Sequence, residues 1–433
     1  MQISVIGCGY LGAVHAVCMA QLGHSVVGID VDAAKVAGLA AGEVPFFEPG
    51  LSDLLAASLQ SGRLRFSTAI DEVRGADVHF IAVGTPQADD SLAADLGYVD
   101  AAVTALLPHL ASGSLVVGKS TVPVGTAARL ADLIEAAGAR LAWNPEFLRE
   151  GFAIADTLRP DRIVYGVRPG DGQSVTTLDA VYAAAIDRET PRIVTDFATA
   201  ELVKVAANAF LATKISFINA MADIADATGA DVTQLAEAIG YDERIGRRFL
   251  NAGLGFGGGC LPKDIRGFLA RADELGAGES LGFLREVDAL NSRRRERMVG
   301  LAQELCGGSV AGARIAVLGL AFKPDSDDVR DSPALDVAVR LRELGAEVRA
   351  TDPQAVSSSR RIHPQLDYVA SAEDAVAGAD LVLLLTEWQQ YRELDPAAIG
   401  SLVTTRMLVD GRNCLDPASW RSAGWVYRAP GRP

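Results

Sequence analysis

At 433 residues the chain has the length of two or three domains, and its 49% hydrophobic and 22% charged residues are typical of a globular protein with large cores. The formal net charge of −15 argues against nucleic acid as a partner, although a few placed arginines can still bind an anionic ligand. The apolar stretches are about as long as strands, so we expect no membrane partner. The N-terminus has no basic segment followed by a cleavage site, so we expect a cytoplasmic protein.

The cysteines and histidines form none of the common metal or disulfide patterns. The five cysteines are an odd number without a Cys-x-x-Cys pair, and the five histidines include no His-Glu-x-x-His motif. We therefore expect neither a disulfide framework nor a metal site. The basic run at 293–295 is expected to be a solvated helix face.

The first 30 residues predict a βαβ unit with a dinucleotide-binding turn. An apolar strand runs into Gly7, Gly9 and Gly12, an alanine-rich helix follows, and a second strand ends at Asp30. In this fingerprint the glycines bring a pyrophosphate onto a helix N-terminus, and the acid bonds the ribose hydroxyls. Because Asp30 would repel a 2′-phosphate, the sequence favours NAD over NADP.

Two further apolar strands, at 78–83 and 115–119, run into loops that contain Thr85 and Thr121. In open α/β sheets ligands bind beyond the carboxyl ends of the strands, so both threonines are candidates to contact cofactor or substrate. Ordinary turn threonines are the alternative. Residues 113–120 also match the phosphate-binding loop of nucleoside triphosphatases, but we reject that site because an apolar strand occupies the place of the loop.

A single long helix is predicted from 197 to 228, because no glycine or proline interrupts this stretch. Asp196 is placed to cap its start and Gly229 its end. At about 1.5 Å per residue the helix is about 48 Å long. It is apolar on most sides, so we expect it to be covered all round, to join two domains and to form the core of a dimer. Lys204 and Asn208 share one face of it, and exposed polar residues are the alternative reading.

The C-terminal part repeats the pattern of the N-terminal part. The segment 315–319 resembles 3–7, and Asp352 takes the place of Asp30. The second copy has lost its fingerprint, because the insert 323–331 stands where two of the glycines would be. We infer a doubly wound domain that binds another phosphate-bearing ligand, with Lys323 and Arg330 as phosphate contacts.

The glycine-rich loop at 253–259 ends at Cys260, just before Pro262 can open a helix. The positive end of that helix, together with Lys263, would favour the thiolate. The glycines would let a bulky ligand approach the backbone. A flexible loop with an inert thiol is the alternative, and the NAD fingerprint weighs against it.

Together these motifs resemble the UDP-glucose/GDP-mannose dehydrogenase family, and most closely its members that oxidise UDP-glucose. The resemblance covers nearly the whole chain. Its carriers are the segments 7–12, 47–51, 84–86, 119–123, 144–150, 255–264 and 410–412, the pair Lys204 and Asn208, and Phe322 with Lys323. It implies an α/β fold of two doubly wound Rossmann-like domains joined by a long central helix and a helical dimerisation region. The NAD domain would span 1–196, the central region with the cysteine loop 197–300, and the UDP-sugar domain 301–433.

The resemblance also implies a four-electron, NAD-dependent oxidation of UDP-glucose to UDP-glucuronate. Cys260 would capture an aldehyde as a thiohemiacetal, which is oxidised to a thioester and then hydrolysed. Lys204 and Asn208 would stabilise the oxyanion. Asp264, with Thr121 ordering a water, would carry protons, and Glu146 would assist the hydrolysis.

Two sets of ligand contacts follow from the fingerprint and the resemblance. The NAD contacts are Gly7, Gly9, Tyr10, Leu11, Gly12, Asp30, Lys35, Thr85, Thr121, Glu150, Lys263 and Arg330. The substrate contacts are Glu146, Phe147, Leu148, Arg149, Glu150, Lys204, Asn208, Arg244, Phe249, Leu250, Asn251, Ala252, Gly253, Gly257, Phe322, Lys323 and Arg412. Arg244 would reach across the interface of a homodimer.

Other functions remain open from sequence alone. Within the family, GDP-mannose or a UDP-N-acetylhexosamine could replace UDP-glucose. A two-electron hydroxyacid dehydrogenase would share the fold and the Lys204 and Asn208 pair without needing a thiol. A non-catalytic NAD-binding protein is a further alternative.

Overall fold

The computed structural model describes residues 1–433 and contains two open β-sheets. The first sheet has eight strands: β1 (Gln2–Ile6), β2 (Ser25–Ile29), β3 (Leu64–Ser67), β4 (Val78–Ile81), β5 (Leu115–Gly118), β6 (Arg140–Trp143), β7 (Ile163–Gly166) and β8 (Arg192–Thr195). Their order is β3-β2-β1-β4-β5-β6-β7-β8, and β6 pairs with β7 antiparallel while the other pairs are parallel. The first six strands thus have the order of a dinucleotide-binding sheet. Strands β4 and β5 end slightly earlier than predicted.

Helices cover both faces of this sheet. They are α1 (Tyr10–Gln21), α2 (Ala33–Ala40), α3 (Leu51–Gln60), α4 (Gly97–Leu106), α5 (Thr126–Ala136), α6 (Ala153–Leu158), α7 (Gly172–Val181) and α8 (Ala183–Ile186). Alternate residues of one strand face two different cores, so Leu115 and Val117 pack on one side and Val116 on the other. Burial on both faces explains why these strands are continuous apolar runs.

The second sheet repeats the order of the first six strands. It contains β9 (Arg314–Leu318), β10 (Glu347–Thr351), β11 (Asp367–Tyr368), β12 (Leu381–Leu384), β13 (Met407–Asp410) and β14 (Val426–Arg428) in the order β11-β10-β9-β12-β13-β14, all parallel. The accompanying helices lie at Pro333–Glu343, Val356–Ile362, Ala372–Val376, Gln389–Arg392, Pro396–Gly400 and Pro417–Ser422. The predicted internal repeat is confirmed at the level of topology.

Helix α9 spans Phe197–Thr228, as the sequence predicts. The Asp196 carboxylate accepts the Thr199 N–H at 2.8 Å, and Gly229 ends the helix at φ +77°. The prediction that α9 is covered on all sides is wrong for the single chain. Phe210 is 66% exposed and Phe217 49% exposed, because nothing within the chain packs over this face.

Three further helices are α10 (Val232–Gly240), α11 (Leu261–Glu274) and α12 (Gly282–Leu305). The prediction that 293–295 is a solvated face is wrong for Arg294, which is 1% exposed. Residues 284, 287, 291, 294 and 298 of α12 are all buried, and spacings of three and four place them on one helix face. Arg294 therefore lies on the core side of α12.

The chain divides into two compact units. The first comprises 1–207 with 266–278, and the second comprises 208–265 with 279–433. The predicted boundaries at 196 and 300 stay a prediction.

Helix α9 is long and apolar enough to cross a membrane, with a mean hydropathy of 1.3. Core helices of soluble proteins also meet this criterion, and 44% of this stretch of α9 is buried. The expectation that no apolar stretch reaches this length is therefore not met by α9.

Candidate functional site

The turn between β1 and α1 has the geometry of a pyrophosphate cradle. Gly7 has φ +91°, and a Cβ at this position would lie 2.8 Å from Val83. A Cβ at Gly12 would lie 1.8 Å from the Gly7 carbonyl, so these two glycines are required by close packing. A Cβ at Gly9 would meet nothing within 4 Å. Gly9 therefore opens onto space in front of the α1 N-terminus, where a phosphate group is favoured.

Asp30 closes the cradle at the end of β2. Its carboxylate accepts the Cys8 N–H at 2.8 Å, the Asp32 N–H at 3.0 Å and the Lys35 ammonium at 2.9 Å. Burial alone would raise the pKa of Asp30, but these hydrogen bonds together lower it. The side chain is thus a fixed carboxylate, which fits the predicted ribose contact and brings Lys35 to the same place.

The first residues of α1 connect the turn to the loop before α6. The Tyr10 hydroxyl donates to the Glu48 carboxylate, and Glu48 also accepts the Gly151 N–H at 2.6 Å and the Ala153 N–H at 2.8 Å. Glu48 is 5% exposed and was not among the predicted site residues. Tyr10 is therefore fixed against the segment that follows Glu150.

The loops after β4 and β5 meet through their threonines. The Thr85 hydroxyl donates to the Thr121 carbonyl at 2.8 Å, and Thr85 is 5% exposed. This contact uses the side chain of one predicted residue to fix the backbone of the other. Strand β5 occupies 115–118, where a phosphate-binding loop would have loop residues, and the buried Lys119 follows this strand. The rejection of a phosphate-binding loop at 113–120 is therefore confirmed.

Glu146 and Lys204 form a buried ion pair in the first unit. The Lys204 Nζ lies 2.7 Å from the Glu146 Oε1, and the Leu148 N–H donates to the other carboxylate oxygen at 2.5 Å. Burial alone would raise the pKa of Glu146, but the Lys204 ammonium and the Leu148 N–H lower it. Glu146 is therefore held as a carboxylate beside an ammonium.

The rest of this loop is held by cation contacts. Arg162 stacks over the Phe147 ring at 3.8 Å, and Lys204 lies 5.8 Å from the same ring. Arg149 makes two hydrogen bonds to the Asp156 carboxylate, at 3.0 and 2.6 Å. Glu150 is half-buried.

Cys260 lies directly before α11 in the second unit, and its side chain is exposed. The Cys260 carbonyl accepts the Asp264 N–H at 2.9 Å, so the residue stands at the N-terminal end of the helix. The positive end of the helix dipole therefore acts on this thiol. Pro262 occupies the first turn, as predicted.

Asp264 connects two of the predicted residues. Its Oδ2 accepts the Asn208 amide at 2.7 Å, and its Oδ1 accepts the Lys263 ammonium at 2.6 Å. Asp264 is 5% exposed and Asn208 8%. The Lys263 charge is thus balanced by its neighbour, which reduces its predicted effect on the Cys260 thiol.

The glycines before Cys260 pack against the protein itself. A Cβ at Gly255 would lie 2.4 Å from the Asn291 Oδ1, and one at Gly257 would lie 2.2 Å from the Asp331 carbonyl. A Cβ at Gly258 would lie 2.8 Å from the Phe322 ring. Close packing against protein atoms is therefore enough to require these glycines, and the expectation that they also serve ligand approach stays a prediction.

Three residues that sequence reasoning missed hold the glycine loop in place. Asn291 donates to the Phe256 carbonyl at 2.9 Å and accepts the Phe256 N–H at 2.8 Å. Asn219 accepts the Gly253 N–H at 2.8 Å, and Arg294 donates to the Gly253 carbonyl at 3.1 Å. The signal in the sequence is a polar residue at an apolar helix position, as at 291 and 294 of α12.

In the second copy of the fold the corresponding acid, Asp352, is hydrogen-bonded by the protein itself. Five protein groups donate to the Asp352 carboxylate, all within 3.1 Å: the N–H groups of Leu320, Ala321, Gln354 and Ala355 and the indole of Trp388. Asp352 is therefore engaged by the protein itself and does not match the ribose contact that is predicted for Asp30.

The predicted phosphate and sugar contacts of the second unit lie around the insert 323–331. Arg412 donates to the carbonyls of Leu385, Gly255 and Phe322 at 2.8 to 3.0 Å. These bonds tie the cysteine loop to Phe322. Lys323 lies 5.7 Å from the Phe322 ring.

Arg330 also faces the glycine loop. It pairs with Asp328 at 2.7 Å, and its guanidinium would lie 2.3 Å from a Cβ at Gly259. Its position next to Gly259 brings a cation close to the end of the loop that carries Cys260.

The remaining predicted substrate residues lie between α10 and the cysteine loop. Phe249 has φ +67°, which turns the chain sharply, and Leu250 and Ala252 are 2% and 4% exposed in a small core. The Leu250 N–H and carbonyl bond to Arg247, and the Ala252 carbonyl accepts the Asn413 amide. Asn251 is exposed and contacts Arg247. The Arg244 side chain is 89% exposed and pairs with Asp242 at 2.6 Å, away from the cysteine loop.

Profiles of one family, described as the UDP-glucose/GDP-mannose dehydrogenase family, match three consecutive parts of the chain. Residues 1–186 match its NAD binding domain, 198–293 its central domain and 316–417 its UDP binding domain. A UDP-glucose 6-dehydrogenase of Rhizobium meliloti (strain 1021) is 42% identical over 438 residues, which cover 100% of both chains. NAD is the cofactor that the first of these domains binds.

Two solved structures share the fold. A UDP-glucose dehydrogenase from the hyperthermophilic archaeon Pyrobaculum islandicum superposes with a TM-score of 0.90 at 40% identity, covering 100% of this chain and 98% of the other. A UDP-D-ManNAc dehydrogenase from Pyrococcus horikoshii gives a TM-score of 0.87 at 28% identity, covering 100% and 99%. The predicted fold class, two Rossmann-like domains with a long central helix, is confirmed.

Proposed function

Because the chain belongs to the UDP-glucose/GDP-mannose dehydrogenase family, we propose that it oxidises UDP-glucose to UDP-glucuronate through a thiohemiacetal and a thioester on Cys260. The observation that carries this proposal is the exposed Cys260 thiol at the α11 N-terminus, in a chain whose Gly9 leaves a dinucleotide cradle open. The alcohol, two NAD⁺ and one water yield the carboxylate, two NADH and three protons.

Each residue has a defined task in the proposed reaction. NAD, when bound, supplies the hydride acceptor for both oxidations. The Cys260 thiolate attacks the aldehyde carbon, and a carbon–sulfur bond forms while the carbonyl oxygen becomes an oxyanion. Lys204 and Asn208, one turn apart on α9, stabilise that oxyanion with an ammonium and an amide N–H. Asp264 takes up protons released from the substrate oxygen, with a water that Thr121 orders.

Hydrolysis of the thioester returns the thiol. A water oxygen forms the new carbon–oxygen bond, and the bond between that carbon and the Cys260 sulfur breaks. One water proton passes to the Glu146 carboxylate and from there to the departing sulfur, and the other is released with the product acid. The support for this role of Glu146 is its buried, ionised carboxylate next to Lys204.

The proposal keeps the predicted ligand contacts. The UDP-sugar domain (301–433) would bind the nucleotide through Phe322, Lys323 and Arg412, and Arg330 and Lys263 would contact NAD. Lys323, Arg330 and Arg412 supply cations for an anionic ligand beside the insert 323–331, which itself also carries four aspartates. The divisions at 196 and 300 are kept as part of the proposal.

We also propose that the protein is a homodimer formed along α9. Phe210, Phe217 and Ile224 are 66%, 49% and 58% exposed and stand seven residues apart, so they form one apolar stripe on the helix. In a dimer with twofold symmetry, the stripe of one chain would pack against the same stripe of the second chain. The exposed Arg244 is then available to the neighbouring chain.

A cytoplasmic location fits the proposed chemistry. None of the five cysteines is in a disulfide, and the nucleophile must remain a thiol. Reducing compartments keep thiols in this state.

The proposal is tested with a panel of nucleotide sugars at saturating NAD. We expect the highest kcat/KM for UDP-glucose, and lower values for GDP-mannose and UDP-N-acetylhexosamines. A preference for one of the latter would replace the substrate within the same family. The matched variant Cys260→Ala is expected to lose turnover by about 10³-fold or more, and full turnover would instead favour a two-electron hydroxyacid dehydrogenase.

A further inference from the structure

A second buried lysine, Lys119, lies near the Glu146 and Lys204 pair and has no task in the proposed mechanism. It follows β5 and is 6% exposed. Its Nζ donates to the Asn144 Oδ1 at 2.9 Å and lies 3.3 Å from the Tyr182 hydroxyl. It also lies 5.7 Å from the Tyr182 ring. A buried ammonium is expensive to desolvate, so its position in the site needs a reason.

Asn144 links Lys119 to the loop that carries Glu146. The Asn144 N–H donates to the Gly118 carbonyl at 2.8 Å, and its amide donates to the Val164 carbonyl at 2.9 Å. The Tyr182 hydroxyl donates to the Asn144 Oδ1 at 2.7 Å, beside the Lys119 ammonium. The Asn144 side chain thus accepts two hydrogen bonds and donates one, which fixes the turn two residues before Glu146.

The charges around Lys119 make Glu146 its counter-ion. The titratable groups that face it are His15 on α1, Tyr182 after α7, Lys204 on α9 and Glu146 after β6. Burial keeps the pKa of His15 well below its ordinary value and that of Tyr182 well above its own, so both stay neutral near pH 7. Glu146 is therefore the one anion of this cluster, shared by two ammonium groups.

We propose that Lys119 is a positioning residue for Glu146, which fixes the turn through Asn144 and holds the neighbouring carboxyl group in its ionised form. This inference rests on the proposed function, because it assigns Lys119 to the thioester hydrolysis step. Burial lowers the pKa of Lys119 to about 8, so the residue carries its charge at neutral pH.

The test is the pH dependence of deacylation, followed by quenched-flow mass spectrometry of the acyl adduct on Cys260. Deacylation slows on the acid side as Glu146 becomes protonated. In Lys119→Met and Lys119→Gln, loss of the nearby charge is expected to move this acid limb up by about one pH unit. In Lys119→Arg the limb is expected to stay within about 0.3 unit of the native position.

Tyr182→Phe is the matched control, because it removes a hydroxyl from the same cluster without changing its charge. We expect lower stability and an unmoved acid limb. A native acid limb in folded Lys119→Met or Lys119→Gln would overturn the proposal. If both neutral variants fail to fold while Lys119→Arg folds, Lys119 is a stability residue and the proposal is also rejected. Absence of any acyl adduct in the native protein would instead contradict the proposed function.

Discussion

At the scale of single residues, the site depends on buried charges that are paired within their own unit. The Lys204 and Glu146 side chains are 5% and 11% exposed, and their charged atoms lie 2.7 Å apart. Removing one partner of such a pair leaves a buried charge without compensation, which costs far more than an exposed ion pair contributes.

We expect Lys204→Met to lower the free energy of unfolding by about 3 kcal/mol, because the buried Glu146 loses the ammonium that contacts it directly. The double variant with Glu146→Gln is expected to recover much of this loss. Urea denaturation of the four proteins in the double-mutant cycle measures the coupling. Additive effects of the two changes would contradict a direct interaction.

The same pair predicts a pH dependence of stability. The pKa of Glu146 in the folded protein lies below its ordinary value of 4.5, so its stabilisation is fully present above that pH and is lost as the pH falls towards the folded value. Denaturation between pH 6 and about 3.5 measures it. We expect Glu146→Gln to be less stable at pH 6 and to show a shallower loss towards acid, and parallel curves would contradict this.

Some site residues could be predicted from the sequence and others could not, for a physical reason. Gly9 and Cys260 belong to short motifs whose function depends on local backbone geometry. Lys119, Asn219 and Asn291 act through partners 25 to 35 residues away in the chain. Such contacts are set by the tertiary fold, so a single sequence can mark a polar residue at an apolar helix position, as at 291, but cannot identify its partner.

At the scale of elements, the cysteine loop is held by close packing of its glycines. Sequence reasoning located the loop and the helix that follows it. It could not assign the glycines' neighbours, since Asp331 and Phe322 are brought there by the folding of the second unit. Helix α9 was predicted to the residue, because Asp196 and Gly229 are strong local end signals.

Gly257→Ala is expected to destabilise the protein by about 2 kcal/mol, because the new Cβ would lie 2.2 Å from the Asp331 carbonyl. Gly300→Ala in α12 is the matched control. A Cβ there meets nothing within 4 Å, so better helix propensity is expected to stabilise it by up to about 1 kcal/mol. Thermal or urea unfolding gives both values, and equal effects would contradict the packing explanation.

At the scale of the whole molecule, one chain contains two copies of a doubly wound fold with different tasks. The repeat in sequence predicted the shared strand order. It could not show that Asp352 accepts hydrogen bonds from five protein groups, whereas Asp30 bonds the β1–α1 turn at which Gly9 leaves open space. The Asp352 contacts depend on Trp388 and on the turn after β9. The exposed stripe on α9 is the other feature that the sequence could not locate, since it predicted a covered helix and a single chain leaves this face open.

We expect Phe210→Ser combined with Phe217→Ser to dissociate the proposed dimer. Each change removes a large apolar side chain from the stripe while leaving the core of the chain intact. Sedimentation velocity should give twice the chain mass for the native protein and the chain mass for the variant. Ile362→Ser, at a side chain 51% exposed elsewhere on the surface, is the control and should remain dimeric. A monomeric native protein would contradict the proposed assembly.

The most direct test of the account is the number of NADH molecules formed per UDP-glucose consumed by the native protein. Absorbance of NADH and chromatography of the nucleotide sugars give both quantities in one reaction. A nucleophilic Cys260 that carries the sugar through a thioester requires two NADH per sugar and UDP-glucuronate as the product. One NADH per sugar, with an aldehyde as the product, would contradict it.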